Sequence, residues 1–455
     1  MISNTKIWSG MTGLVIIILI FDGIATNLPS YNLQSRQALA IQLFFVTEIL
    51  ICALCQITYL KIIKRKYEIN PTVGHFRKYV YVIYYLVSVT QYFIIVLLLV
   101  TLLEVEIENQ YHTILLLMVT VISLILSASI SAVLAFRLVS WIRYRGGYLI
   151  IAYTAASILI GVNSVFIFLF MSLEMEGKPT VIDPTMFYSN YQVTNFDIHQ
   201  LQSYISFMSF IALWAASTLL LRRQRKKWGA IKFYIVVSLP LVYYLGIVQL
   251  ILSNTLMEHH ILSAMETYSF NVINSILTRP VGGVLFGIAF WMVGRSVSDR
   301  RISDYMKLSA IGIMLLSISN QDAGLYLLPY PPFGLATISF VGISSYLLFV
   351  GIYYTSISIS IDTDLRKTIE SSVEEEFRFV SKIGKSQMER EIENRVKVMT
   401  KRSAELLEED TGIETELEDS QVAEYVKLVV KEKEKMLRRN QHAREGKTDN
   451  DSETV

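Results

Sequence analysis

Ten apolar runs of roughly twenty residues or more recur between residues 8 and 356. No other feature constrains the fold as tightly. A run of that length makes a helix that spans roughly 30 Å of hydrocarbon. Lipid offers the backbone no hydrogen-bond partner, so each run must satisfy its own amides as a helix. The expected spans are 8–28, 39–60, 79–103, 111–136, 148–173, 203–221, 232–252, 271–294, 308–328 and 334–356. Charged residues make up only 18% of the chain, against about 25% in soluble domains, and the mean hydropathy is +0.44. The fold class read from this is all-α, a polytopic α-helical membrane protein.

Lysine and arginine set the expected orientation. Alternate short loops hold 19 basic residues, among them Lys64, Arg65, Lys66, Arg143, Arg222, Lys227, Arg300 and Arg301. The loops between them hold three: Arg36, Lys178 and Arg279. A bias that alternates strictly places the basic loops inside, with both termini cytoplasmic in a multi-pass protein of the cell membrane. Leu14 to Phe21 is a short apolar core of the kind found in signal peptides, but its flank is weakly basic and "GIATN" is a poor cleavage site, so the first span is expected to be retained.

Charge divides the chain in two. Residues 1–356, the transmembrane domain, carry a net charge of +8, whereas residues 357–455 carry −6. In the second part apolar residues recur at helical spacing: Leu365, Ile369, Val373, Phe377, Val380, Ile383, Met388, Ile392, Val396 and Met399. That spacing predicts an amphipathic cytoplasmic helix with Glu391 and Arg395 paired at four residues. "EEDTGIETELEDS" breaks it, a second helix follows, and the last residues are expected to be disordered. A stripe of this kind needs a partner, so residues 362–440 are expected to pack on the chain itself, self-associate or engage a cytoplasmic protein.

The least ordinary stretch is "LLPYPPFGLA", Leu327–Ala336, between the last two spans. Proline lacks an amide hydrogen and disfavours helix in the residue before it. Pro329, Pro331 and Pro332 are therefore expected to stop the ninth helix, and Gly334 to let the chain turn into the tenth. A second tract, "ILTRPVGGVLFGIAFW", puts Pro280, Gly282 and Gly283 beside Arg279 at the start of an expected interruption in the eighth span. Glycine there permits close helix approach, while interrupted transporter helices often form substrate sites. Asp322 lies before the proline tract, and an Arg279–Asp322 pair would relieve two charges near lipid. A structural clasp and an ion or small-molecule site both stand open.

"TRPVGGVLFGIAFW", "SNQDAGLYLLPYPPFGL" and "SISIDTDLRKTIESS" together resemble a family of uncharacterised archaeal multi-pass membrane proteins. The likeness covers roughly Thr278 to Glu370, and it implies relatives without implying an activity.

Glu48, in "FFVTEILICALC", lies ten residues into the second span. A carboxyl group near mid-bilayer marks a proton relay, the counter-ion of a cationic substrate, or an acid hydrogen-bonded to a neighbouring helix. Cys52 and Cys55 share its helix face, and without histidine in that span they read as packing residues rather than metal ligands. Gln91, Asn163 and Gln249 suit interhelical hydrogen bonds. Asp22, near the outer end of the first span, is expected to reach headgroup water. Met257, His259, His260 and Met265 offer copper-type ligands, but adjacent histidines on a helix diverge by about 100°, and an interfacial helix is the simpler reading. The outer loop 174–202, with Phe187, Tyr188, Tyr191 and Phe196, is the candidate lid.

No phosphate-binding loop, dinucleotide fingerprint, zinc-protease motif or nucleophile elbow is present. The sequence therefore names no catalytic residue, cofactor or resident metal, and nothing in it reads nucleic acid. Residues 357–441 contain no histidine to accept a phosphate, so the chain is not itself a histidine kinase. Three functions follow in order of expectation: a sensory or regulatory membrane module acting through its tail, a secondary transporter using Glu48 and the irregular eighth and ninth spans, and an assembly subunit docked by the tail.

Overall fold

The computed structural model describes residues 2–27, 35–69, 74–145, 147–176, 178–183, 196–222, 225, 228–246, 264–297, 299–320, 328–361 and 377–411. These residues are helical almost throughout: α1 (Ile2–Asn27), α2 (Ser35–Ile69), α3 (Gly74–Glu108), α4 (Thr113–Arg145), α5 (Tyr148–Glu174), α6 (Phe196–Leu221), α7 (Ala230–Tyr244), α8 (Ala264–Ser296), α9 (Arg300–Ser319), α10 (Leu335–Ile361) and α11 (Phe377–Thr411). Two short strands, β1 (Tyr111–His112) and β2 (Val181–Ile182), pair antiparallel, with Tyr111 opposite Ile182.

Seven of the described helical segments are long and apolar enough to cross a membrane: Ala40–Arg65, Tyr81–Glu108, Thr113–Tyr144, Tyr148–Glu174, Gln200–Leu221, Arg300–Ser319 and Leu335–Ser360. Gly10–Thr26, Ala230–Tyr244 and Pro280–Ser296 are shorter apolar helices. On α3 one face buries Val87, Gln91, Ile94 and Leu98 completely, while Tyr85, Val89, Phe93 and Val96 on the other are about half exposed or more. An apolar face that wide has no place on a water-soluble monomer. The protein is an all-α polytopic membrane protein.

Several helices outrun the expected spans, because charged side chains at a membrane boundary do not break a helix. α4 continues past Arg137, whose guanidinium lies 5.3 Å from the ring centre of Tyr353. The ninth helix is displaced rather than extended. It starts at Arg300, where Asp299 accepts from the amides of Arg301 (2.8 Å) and Ile302 (3.0 Å), and it ends at Ser319. The prolines at 329, 331 and 332 thus lie well beyond its end and do not stop it. α8 likewise runs unbroken through Pro280, so the expected interruption is absent. Its glycines serve close packing: a Cβ on Gly283 would lie 2.7 Å from the Cβ of Ser317 on α9, and Gly282 faces the ring of Phe210 on α6.

The chain forms two compact units, Met1–Val139 with Tyr148–Thr355, and Ser140–Gly147 with Ser356–Val455. α10 is the centre of the first, and its apolar stretch is wholly buried. It meets α9 backbone to backbone. A Cβ on Gly312 would lie 2.5 Å from the amide nitrogen of Leu348, and one on Gly351 would lie 2.5 Å from the carbonyl oxygen of Tyr305. Small residues on both sides allow this approach, as in packed membrane helices generally. In the second unit the end of α4 and the end of α10 hold α11. The Trp141 indole donates to Gln387 (3.0 Å) and the Tyr144 hydroxyl donates to Glu393 (2.7 Å). A Cβ on Gly384 would lie 2.6 Å from that of Ile359. Along the predicted stripe Val380 and Ile383 are fully buried, while Met399 is exposed. The expected Glu391–Arg395 pair forms at 3.1 Å.

Candidate functional site at the buried end of a central helix

The stretch before α10 is not a surface turn. Leu328, Pro329 and every residue from Pro331 to Gly334 are buried. The Tyr111 hydroxyl donates to the Pro329 carbonyl (2.9 Å), and Tyr111 stacks on Tyr330. Phe333 then packs edge-on against Phe45 of α2, its ring centre 5.5 Å away. Irregular backbone at membrane depth survives only where protein covers it and its polar groups find partners. Proline helps here, since three residues of the tract bring no amide hydrogen to satisfy. The Phe333 amide donates to the Pro331 carbonyl (2.7 Å), and Gly334 turns the chain at φ +90° into α10.

A helix that begins inside the protein strands its first amides. Serine, threonine, asparagine or aspartate at the cap position would ordinarily serve them, but the cap position here is Gly334. The acceptor comes from another helix. Asp22 of α1, 1% exposed, accepts from the Gly334 amide through one carboxylate oxygen. Through the other it accepts from the Thr337 amide (2.8 Å) and the Thr337 hydroxyl (2.6 Å). A negative charge at a helix amino end also opposes the positive end of the helix dipole. The expectation that Asp22 reaches headgroup water is therefore corrected. Depth counted along its own span mistook it for a boundary residue, because nothing in α1 shows where α10 begins.

Glu48 of α2 is 2% exposed. It lies about 12 Å below Ala40, the start of its apolar segment, at ~1.5 Å per residue. Its carboxyl group faces that of Asp22 closely enough for each to act on the other. Among the described residues neither Glu48 oxygen accepts from an N–H or O–H donor, its side-chain contact is with the Asp22 carboxyl, and no lysine, arginine or histidine acts on either acid. Below them the Gln56 amide donates to the Ser339 hydroxyl (2.7 Å), and the Gln91 amide donates to the Gln56 side chain (2.9 Å) and the Ser339 carbonyl (3.1 Å). α1, α2 and α3 thus all hold the first turns of α10 by polar contacts. Cys52 and Cys55 are buried free thiols on the same face of α2 as Glu48.

Of the residues singled out from sequence, Glu48, Gly334 and the prolines at 329, 331 and 332 come together here, and Gln91 makes its interhelical bonds. Pro280, Gly282 and Gly283 lie elsewhere, in α8. Asn163 is buried on α5, and its side-chain oxygen meets no partner among the described residues. Asp322, Gln249, Met257, His259, His260, Phe187, Tyr188 and Tyr191 lie outside the described residues, as do the side chains of Arg279, Met265 and Phe196 and the tail apart from 377–411. Gln56, Thr337 and Ser339 carry no sequence expectation, and Asp22 carries one for the wrong environment. One signal for Asp22 was available: a helix start at Gly334 with no capping side chain of its own needs an acceptor from another segment. No family model, curated protein or solved structure matches the chain.

Proposed function

We propose that the protein is a sensory or regulatory module of the cell membrane, with ten spans, both termini cytoplasmic and α11 as its output. The observation that supports this reading is α10. One helix has its amino end held by a buried acid from α1, and its last residues, Ser356–Ile361, lie in the unit that contains α11. A change at the acid thereby has a continuous rigid element on which to act. The Lys and Arg bias of the loops supports the orientation, and the motifs between Thr278 and Glu370 support kinship with the archaeal multi-pass family.

Amide hydrogen exchange of α11, measured on full-length protein in lipid vesicles, tests the reading. Asp22→Asn is expected to change exchange across residues 380–393, many helical turns from the substitution. Identical exchange in wild type and variant would reduce α11 to a passive tail. Proton-coupled transport is the second reading, favoured by the deeply buried carboxyl of Glu48. It requires uptake that Glu48→Gln abolishes.

A further inference from the structure

We propose that Asp22 and Glu48 form a proton-binding site that holds one proton between two carboxyl groups, with the proton on Glu48 and the charge on Asp22. The inference rests on the sensory reading for its meaning to the cell and on geometry for its chemistry.

Two carboxylates facing each other away from water repel strongly, and removing the second charge is the least costly relief. Hydrogen bonds decide where the charge stays. Asp22 accepts three, two of them from amides at a helix amino end, and all three stabilise a carboxylate. Glu48 accepts none among the described residues. A charge on Glu48 would be buried without compensation, whereas a protonated Glu48 is a neutral group in an apolar site. Among the described residues, the groups that face the pair from the packed helices are the Cys52 thiol on α2, the Thr337 hydroxyl and the amino end of α10. None of these is a cation that would hold both acids ionised. The ligand is therefore a proton, taken up when the site opens to water at low pH and released at high pH. On release, the second negative charge weakens the hold of the pair on α10.

Infrared spectroscopy of the full-length protein in lipid vesicles reads the proton directly. At neutral pH, where exposed acids are ionised, wild type is expected to show the carbonyl band of a protonated carboxylic acid. Glu48→Gln is expected to remove it and Asp22→Asn to retain it. Absence of the band in wild type overturns the proposal without any variant having to fold, and so does survival of the band in Glu48→Gln. Replacing potassium by sodium at constant ionic strength is expected to leave the band unchanged. Its loss in sodium would overturn the proposal in favour of a sodium site. A band that behaves as expected, beside an α11 indifferent to pH, keeps the proton site and sinks the sensory reading, so the two fail separately.

Discussion

Asp22→Ala removes the acceptor of the Gly334 and Thr337 amides and leaves the Thr337 hydroxyl with the Leu19 carbonyl at 3.3 Å. Two backbone donors are then stranded where water has no ready access. A stranded buried donor costs about 1–3 kcal/mol. Part of that is offset because one of two facing acids is gone, so the expected net loss is about 3 kcal/mol, roughly a hundredfold in the unfolding equilibrium. Asp22→Asn keeps one carbonyl oxygen, serves one amide and should lose about half as much. Equilibrium unfolding in mixed lipid–detergent micelles measures both. The order wild type, Asn, Ala is the signature of a cap supplied in trans. An alanine variant within about 0.5 kcal/mol of wild type, or an asparagine variant worse than alanine, would refute the reasoning, since ordinary surface changes fall in that range.

Gly351→Ala should destabilise by about 1–3 kcal/mol, because its Cβ would meet the backbone of α9. Gly10→Ala, with open space around it, should be neutral or stabilising; equal effects in the same unfolding assay would deny the close α9–α10 contact. Trp141→Phe removes the donor to Gln387 and should cost about 1 kcal/mol in local opening of α11, read as faster amide exchange near residues 383–390; unchanged exchange would show that the bond holds nothing. Burial holds the Lys178 ammonium below its ordinary 10.5 although Glu174 is 3.7 Å away. Between that lowered value and 10.5 the unfolded chain keeps a proton that the folded chain has released, so stability rises with pH across the window. Lys178→Met should flatten the rise in melting temperature measured at stepped pH, and an equally steep rise in the variant would exclude Lys178 as its source.

The length of the apolar runs made the helices legible, because lipid leaves the backbone no alternative. Helix ends were less so. α9 was misplaced since "SDRRISDYMK" reads as a charged loop, yet Asp299 caps it and Ile302, Tyr305 and Met306 are buried. Pro280 suggested a break that α8 does not make. A proline removes one hydrogen bond, and packing against α6 and α9 carries the helix through that loss. Glu48 was legible as a deep acid in an apolar run. Its opposite number was not, because the pairing depends on where α10 starts in depth, and sequence distance from a span end does not report that. The proline tract is legible for its backbone chemistry but not for its burial. Its burial follows from the Tyr111 and Phe45 contacts, both far away in sequence.

Proton input and α11 output meet in a single measurement: amide exchange of α11 in vesicle-reconstituted full-length protein at acid and alkaline pH, corrected for intrinsic exchange, in wild type and Glu48→Gln. Exchange across residues 380–393 should differ between the two pH values in wild type and lose that difference in Glu48→Gln, whose side chain takes up no proton. A difference that persists in the variant, or none in wild type, would contradict the account.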